Sequence, residues 1–145
     1  MLTSRYGLRA ICGRYCDGIF CNRLHERHFA CHRMGSFQVK AVYVAHPLRG
    51  ATGSPEEIRT NLERIDEIMK NFAAIYPNNL FISPLHAFSY YDARGPQKQV
   101  MRQCLAALDL CQEIWVCGEW RTSEGCKMEL SYADSVGIPI VYMKV

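Results

Sequence analysis

Long hydrophobic runs and an export signal are both missing from this sequence. No apolar stretch among its 145 residues approaches the ~20 that a helix needs to cross a bilayer, so we expect a soluble protein with no membrane partner. No signal peptide is present either, which favours a cytoplasmic location. Eight cysteines would suggest disulfides in a secreted chain. Here we interpret them as reduced thiols, several of them buried as small apolar side chains.

The signatures of common phosphate-binding loops are missing as well. Neither GxxxxGK[ST] nor GxGxxG occurs, so kinase and dinucleotide-binding functions have weak support. Charge does not favour nucleic acid. Residues 1–36 hold six arginines and two acidic residues, a net of +4, whereas the whole chain carries +3. The remainder is therefore −1 and offers no basic surface to a nucleic acid.

Residues 1–36 differ from the rest of the chain. They contain six arginines, no lysine, four cysteines and three histidines. A zinc site is one interpretation, although the Cys and His spacing fits none of the usual patterns. An organelle-targeting peptide is a second, although serine is scarce. We favour a third, in which residues 1–36 are an irregular or disordered extension, or translated non-coding sequence upstream of a start at Met34. We assign residues 37–145 to one α/β domain.

From residue 39 onward, apolar strands alternate with amphipathic helices. Ser54-Pro55-Glu56-Glu57 is a capping box with proline at the first helical position. The βαβαβαβ order predicts a three-layer, flavodoxin- or Rossmann-like α/β fold. We expect a parallel sheet of four to five strands, right-handed crossovers and helices on both faces. The predicted strands cover residues 39–45, 80–83, 114–117 and 138–143.

Glu129 is the main candidate for catalysis. It lies about one turn into the helix that follows the strand 114–117, which Gly118 closes. Open α/β sheets bind ligands at the carboxyl ends of their strands. An isolated carboxylate there can attack an anomeric carbon and form an ester, as in retaining glycosyl transfer. The alternative is a solvated glutamate favoured by the helix dipole, and Cys126 nearby is a weaker candidate nucleophile.

Two other segments lead from strand ends into the same predicted crevice. In residues 46–54, a small and flexible turn can offer backbone N–H groups to a phosphate, with Arg49 adding positive charge. An ordinary loop with a good helix cap is the alternative. In residues 83–95, aromatic side chains accompany His86 and Asp92. They suit a base or a sugar, or else form a lid packed on the core, and His86 alone is more often structural than catalytic.

Three blocks of residues carry a resemblance to a known family. Residues 42–47 are similar to an opening strand that holds a tyrosine and ends in a Gly/Pro turn. Residues 111–118 resemble a CDE-hydrophobic-G strand, and residues 123–133 resemble a small-Gly-xxx-Glu-hydrophobic signature. Over residues 39–143 the chain resembles the nucleoside 2-deoxyribosyltransferase superfamily. It is most similar to the DUF4406-like branch, which is related to the deoxynucleoside 5′-monophosphate N-hydrolases.

The resemblance implies a role for each candidate residue. Glu129 would be the nucleophile, Tyr43 would orient it, and the 46–54 loop would hold a 5′-phosphate. It also implies a homo-oligomer that acts on a small nucleoside or nucleotide and needs no metal or organic cofactor. The residues expected to bind the substrate are His46, Pro47, Arg49, Gly50, Ser54, His86, Asp92, Gly118, Trp120, Ser123 and Gly125.

Two departures from the family pattern bear on the activity. The aspartate expected on the helix before the third strand has no clear counterpart, and Cys104 lies near its place. Gln112 replaces the aspartate of the CDE block, and a departing base needs a positioned acid. We expect cleavage of the N-glycosidic bond of a (deoxy)nucleoside or its 5′-monophosphate, by hydrolysis or base transfer.

A non-catalytic module that binds a nucleotide-derived ligand as a sensor is the main alternative function. A third possibility is a phosphoribohydrolase of the lysine-decarboxylase-like family. That possibility is disfavoured because the PGGxGT loop of that family does not occur in this sequence.

Overall fold

The computed structural model describes residues 39–144. The predictions for residues 1–36 lie outside the described residues. None of the described helices is both long and apolar enough to cross a membrane. The elements are β1 (Lys40–Ala45), α1 (Pro55–Ile75), β2 (Asn79–Ile82), α2 (Pro84–Ala87), α3 (Gln97–Leu108), β3 (Glu113–Val116), a 3-10 turn (Trp120–Thr122), α4 (Glu124–Val136) and β4 (Ile140–Tyr142).

The four strands form one parallel sheet in the order β2-β1-β3-β4. In the register, Tyr43 lies opposite Ile82 of β2 on one side and opposite Ile114 of β3 on the other. The chain leaves β1 toward one edge of the sheet and returns to β3 on the opposite side. The crevice beyond the carboxyl ends of β1 and β3 is therefore the topological switch point, where open α/β sheets bind ligands.

Different helices cover the two faces of the sheet. Val42 and Val44 of β1 pack with Ile65 and Phe72 of α1 on one face. Tyr43 and the residues opposite it on β2 and β3 face the other side, where α3 and α4 complete a second apolar cluster. The alternation follows from the two-residue repeat of a strand. The predicted three-layer, Rossmann-like α/β fold is confirmed, with four strands.

Capping residues fix where α1 and α4 begin and where α4 ends. The Ser54 side-chain oxygen accepts a hydrogen bond from the Glu57 backbone N–H at 3.2 Å, which is half of the predicted capping box. Ser123 caps α4 in the same way, accepting from the Cys126 N–H at 3.3 Å. Gly137, which follows the last residue of α4, has a φ of 76° that disfavours residues with a side chain. The caps hold both loops at the crevice.

The structure differs from the prediction in two short segments. Within the predicted loop at residues 83–95, the chain forms the single-turn helix α2, and Trp120–Thr122 forms a 3-10 turn. Neither is long enough to show a helical repeat of apolar residues, so hydrophobic periodicity gives no signal for them.

The face that α1 turns toward the sheet includes a polar residue. Ile65 and Phe72 are buried, but the apolar Leu62 is 38% exposed. Asn61 is buried instead, and its Nδ2 donates to the backbone oxygen of Leu48 at 3.1 Å. This hydrogen bond offsets the penalty for burying an amide and ties α1 to the loop after β1.

Replacing Phe72 with alanine should destabilise the domain strongly. Its ring is 3% exposed and packs edge-on against Trp115, with ring centroids 5.1 Å apart. We expect the free energy of unfolding to fall by about 3–5 kcal/mol, because the cavity left behind adds to the lost burial. Urea unfolding of Phe72→Ala beside Ile75→Ala measures this, since Ile75 lies three residues along the same helix and is 66% exposed. Equal losses in the two variants would contradict the packing described.

Candidate active site

Glu129 is a buried carboxyl group held by Tyr43. The Tyr43 hydroxyl donates a hydrogen bond of 2.7 Å to Glu129 Oε1. The Glu129 residue is 4% exposed and Tyr43 is 0% exposed. The alternative of a solvated glutamate is therefore wrong. The predicted pairing of Tyr43 with Glu129 is present, across a separation of 86 positions in the chain.

Burial sets the protonation behaviour of this pair. Desolvation raises the pKa of Glu129 to about 7, and the hydrogen bond from Tyr43 opposes that rise. Burial also raises the pKa of Tyr43 well above its ordinary value, and the adjacent Glu129 charge raises it further. Tyr43 is therefore a hydrogen-bond donor throughout the neutral range. Glu129 changes charge near neutrality, a property typical of functional carboxyl groups.

Two thiols accompany the carboxyl group. The Glu129 charge adds to burial in raising the pKa of Cys104 to about 11 and that of Cys126 to about 12. Both thiols are therefore protonated at neutral pH, whereas a nucleophilic cysteine needs a depressed pKa. Cys126 is not supported as a nucleophile. Cys104, near the place of the expected aspartate, brings a neutral thiol to the Tyr43–Glu129 pair.

Glu129 lines a cavity of about 360 Å³, which we call the first cavity. The three segments that follow β1, β2 and β3 all contribute to its wall, as predicted. Apolar side chains make up much of that wall, including Leu48, Leu85, Phe88, Tyr91, Val100 and Met101. The predicted site residues that line it are His46, Arg49, Gly50, Asp92, Ser123, Gly125 and Glu129. Tyr43 reaches Glu129 from the sheet without lining the cavity.

A second cavity of about 330 Å³ adjoins the first. It shares His46, Gly50 and Thr122 with the first cavity. Pro47 and Gly118 line the second cavity but not the first. Its other side chains are mostly polar, among them Thr60, Asn61 and Arg64 of α1 and Glu119, which precedes the 3-10 turn. The predicted residues Pro47 and Gly118 therefore belong to a neighbouring space.

His46 separates the two cavities as a neutral ring. It is 4% exposed, and its Nδ1 lies 2.9 Å from the Pro47 carbonyl oxygen, so the neutral tautomer carries its hydrogen on Nδ1. Burial lowers the pKa of His46 and the Arg64 charge lowers it further, against that hydrogen bond. A Cβ on Gly118 would come within 3.0 Å of Nε2. The glycine therefore allows the ring to sit against the end of β3.

The loop after β1 binds a carboxylate of its own chain. Glu57 accepts hydrogen bonds from the N–H groups of Ala51 at 2.7 Å and Thr52 at 2.8 Å, and from the Thr52 hydroxyl. These bonds, the Thr52 hydroxyl first among them, lower the pKa of Glu57. At these two positions, the N–H groups that were predicted to be able to bind a phosphate donate to Glu57. Ser54, predicted to bind substrate, lines neither cavity and caps α1.

Arg49 donates hydrogen bonds to the loop that follows β2. Its Nε donates to the Ala93 oxygen at 2.7 Å and its Nη2 donates to the Gly95 oxygen at 2.8 Å. Asp92 in the same loop accepts from the Arg94 N–H at 3.0 Å. The guanidinium thus joins the loops after β1 and β2 and lines the first cavity. Part of its donor capacity is used within the protein.

Besides Tyr43 and Ser54, two further predicted residues lie outside both cavities. His86 faces the outer surface, where its ring nitrogens lie 2.9 Å from Ser83 Oγ and 2.7 Å from Asp66 Oδ1. It ties α2 to α1, so the structural interpretation holds for this histidine. Trp120 packs on Tyr142 with ring centroids 5.5 Å apart, and the Arg121 guanidinium lies 4.6 Å from its ring centre.

Sequence reasoning missed some residues of the site. The capping-box motif includes Glu57, but the motif does not predict the hydrogen bonds of Glu57 to the loop that precedes α1. Asn61 carried no signal, because one polar residue on an apolar helix face is unremarkable. Asp109, five residues after Cys104, accepts a hydrogen bond from the Tyr132 hydroxyl at 2.7 Å on the surface. Between residues 39 and 144, no group of three His, Cys, Asp or Glu side chains is arranged to hold a metal ion.

The comparisons with known proteins agree with the boundaries of the fold. The family described as "Domain of unknown function (DUF4406)" matches residues 40–142, from the first residue of β1 to the last of β4. The chain belongs to the DUF4406 family. No curated protein matches it. The family match covers Tyr43, Glu129 and both cavities, so the site described above lies within the DUF4406 region.

Replacing Glu129 with glutamine should stabilise the protein in a pH-dependent way. The folded-state pKa of Glu129 is about 7, above the ordinary 4.5. At a pH above both values, folding must bury the charged carboxylate, which lowers the free energy of unfolding. Glutamine carries no charge and removes this destabilisation. We expect the gain in unfolding free energy on Glu129→Gln to be about 3 kcal/mol larger near pH 8.5 than near pH 4.

Urea unfolding at several pH values measures this difference. Asp134→Asn, an exposed change on the same helix, serves as the control and should show no comparable dependence on pH. Parallel curves for Glu129→Gln and wild type would contradict the raised pKa.

Proposed function

We propose that the protein cleaves the N-glycosidic bond of a nucleoside or nucleotide, with Glu129 as the nucleophile. The observation that supports this most strongly is the buried Glu129 carboxyl group, hydrogen-bonded by Tyr43 and facing the first cavity. The cavity volume of about 360 Å³ falls within the range of small-molecule sites, about 300–1,000 Å³. Its apolar and aromatic wall suits a base.

The reaction would proceed in two steps. A Glu129 carboxylate oxygen attacks C1′ of the sugar, the C1′–N bond breaks, and its electron pair leaves with the base nitrogen. Water then attacks C1′, and the C1′–O bond of the ester breaks to restore the carboxylate. The proton from that water balances the one taken up by the departing base. In base transfer, a second base replaces the water.

Tyr43 would prepare the carboxylate for attack. Its hydroxyl donates to Oε1, so the charge on that oxygen is stabilised and Oε2 remains available to form the new bond. The same hydrogen bond lowers the pKa of Glu129 against the effect of burial and so increases the ionised fraction near neutral pH. Tyr43 acts through Glu129 and is a positioning residue.

A non-catalytic ligand-binding protein is the second candidate function. The titratable groups whose pKa values the Glu129 charge raises are Tyr43, Cys104 and Cys126, and these raised pKa values make them weak acids. A departing base benefits from a stronger acid. Such a site can hold a nucleotide-derived ligand without turning it over. Homo-oligomeric assembly and a cytoplasmic location belong to the same proposal. The family resemblance implies the first, and the four buried free cysteines between residues 39 and 144 suit the reducing compartment of the second.

Free base should appear when the protein is incubated with a panel of deoxynucleosides, ribonucleosides and their 5′-monophosphates. Chromatography of the mixture detects the base and identifies the substrate. Glu129→Gln should lose at least about a thousandfold in rate, as expected for a missing nucleophile, and Asp134→Asn should retain the wild-type rate. Equal release by Glu129→Gln would contradict the proposal. Ligand-dependent thermal stabilisation without release would favour the binding function.

The rate of base release should rise with pH. A nucleophile works in its ionised form, so kcat/KM should increase through about pH 7, the pKa of Glu129. In Tyr43→Phe the midpoint should move to higher pH, because the hydrogen bond that lowers this pKa is lost. A rate that falls through the same range would instead indicate a general acid and would contradict the nucleophilic role.

A further inference from the structure

Four consecutive amide groups of the loop after β1, those of residues 51–54, have acceptors within the protein. As described above, Glu57 accepts from Ala51 and Thr52. The Gly53 N–H donates to the Arg49 oxygen at 3.0 Å, and the Ser54 N–H donates to Thr52 Oγ1 at 3.2 Å. Four consecutive N–H groups are therefore paired. A phosphate entering this turn would have to break those bonds first.

The Glu57 carboxylate fits closely against the turn. Gly50 has a φ of 62°, and a Cβ there would lie within 2.3 Å of the Glu57 carboxyl carbon. Only glycine leaves room for the carboxylate at this distance while adopting that backbone conformation. Gly50 borders both cavities and Glu57 borders the second. The carboxylate thus occupies the place beside the cavities where a bound anion would accept hydrogen bonds from the loop N–H groups.

Charge around the cavities also opposes an anion. Acidic side chains outnumber cationic ones in both walls. Arg49 already donates to two carbonyl oxygens. A phosphate dianion in the turn would approach the Glu57 carboxylate with like charge. The acidic side chains are Asp92, Glu124 and Glu129 in the first cavity and Glu57 and Glu119 in the second; the cationic ones are Arg49 and Arg64.

We propose that Glu57 is a specificity-determining residue that excludes phosphate from the turn at residues 49–54, so that the substrate is a nucleoside without a 5′-phosphate. This rests on the proposed function, because it selects among the N-glycosides considered there. It assigns the turn a different role from the phosphate binding implied by the family resemblance. The carboxylate of the chain takes the hydrogen bonds that a phosphate would need.

Binding measurements on a protein that retains Glu57 test the proposal first. Thermal shifts and calorimetry compare deoxyadenosine, deoxycytidine, thymidine and deoxyguanosine with their 5′-monophosphates, using Glu129→Gln to prevent turnover. We expect each nucleoside that binds to do so at least about tenfold more tightly than its monophosphate, the factor that corresponds to one modest charge repulsion. Tighter binding of the monophosphate would overturn the proposal.

Removing the carboxylate gives the second test. Glu57→Ala should reduce the preference for the nucleoside to less than about threefold and should allow inorganic phosphate to raise Tm, whereas the wild type should show no such rise. Glu56→Ala is the matched control, since it removes the adjacent acidic side chain of the same helical turn, which instead contacts Arg59. Should Glu57→Ala fail to fold, Glu57→Gln keeps the side-chain length and removes only the charge.

The inorganic phosphate measurement separates the two proposals. It requires neither turnover nor a nucleoside, so it reports on the turn even if no base is released from any substrate. A wild type that is stabilised by phosphate as much as Glu57→Ala would overturn the role of Glu57 and leave the glycosidic proposal intact. If exclusion of phosphate is confirmed but no base is released from any substrate, only the proposed reaction is contradicted.

Discussion

One hydrogen bond, from the Tyr43 hydroxyl to the Glu129 carboxyl group, joins the central strand of the sheet to the helix that borders the first cavity. An ionised carboxylate buried without a partner is strongly unfavourable. Tyr43 supplies that partner. Desolvation raises the pKa of Glu129 to about 7, and the hydrogen bond from Tyr43 opposes that rise. The proposed chemistry depends on this balance between desolvation and the hydrogen bond from Tyr43. More burial would keep the Glu129 carboxyl group protonated, and less burial would leave the carboxylate solvated by water.

The topology explains why these two residues meet. β1 and β3 are neighbours at the centre of the sheet, and the chain runs from β3 through a short turn into α4. Because side chains alternate along β1, Tyr43 faces α4 whereas Val42 and Val44 face α1. The loops after the same strands then form the cavities, and Arg49 and Glu57 hold those loops in place through contacts with backbone groups.

Much of this arrangement could be predicted from the sequence. Strand and helix periodicity gave the α/β class, and the position of Glu129 after a buried strand identified it as a candidate. Its burial could not be predicted, because that depends on how α4 packs on β1. His86 was misplaced since the single turn of α2, invisible to periodicity, directs it to Asp66. The contacts of Glu57 depend on the positive φ of Gly50, which a glycine permits but does not specify.

The nucleophilic role of Glu129 can be tested most directly by trapping the sugar on the protein. In 2′-deoxy-2′-fluoroarabinosyl nucleosides the fluorine destabilises positive charge at C1′, so the glycosyl ester forms but breaks down slowly. Intact-mass spectrometry should show the added fluorosugar, peptide mapping should locate it on Glu129, and Glu129→Gln should show none. Release of base without any adduct, or an adduct on another residue, would contradict the account.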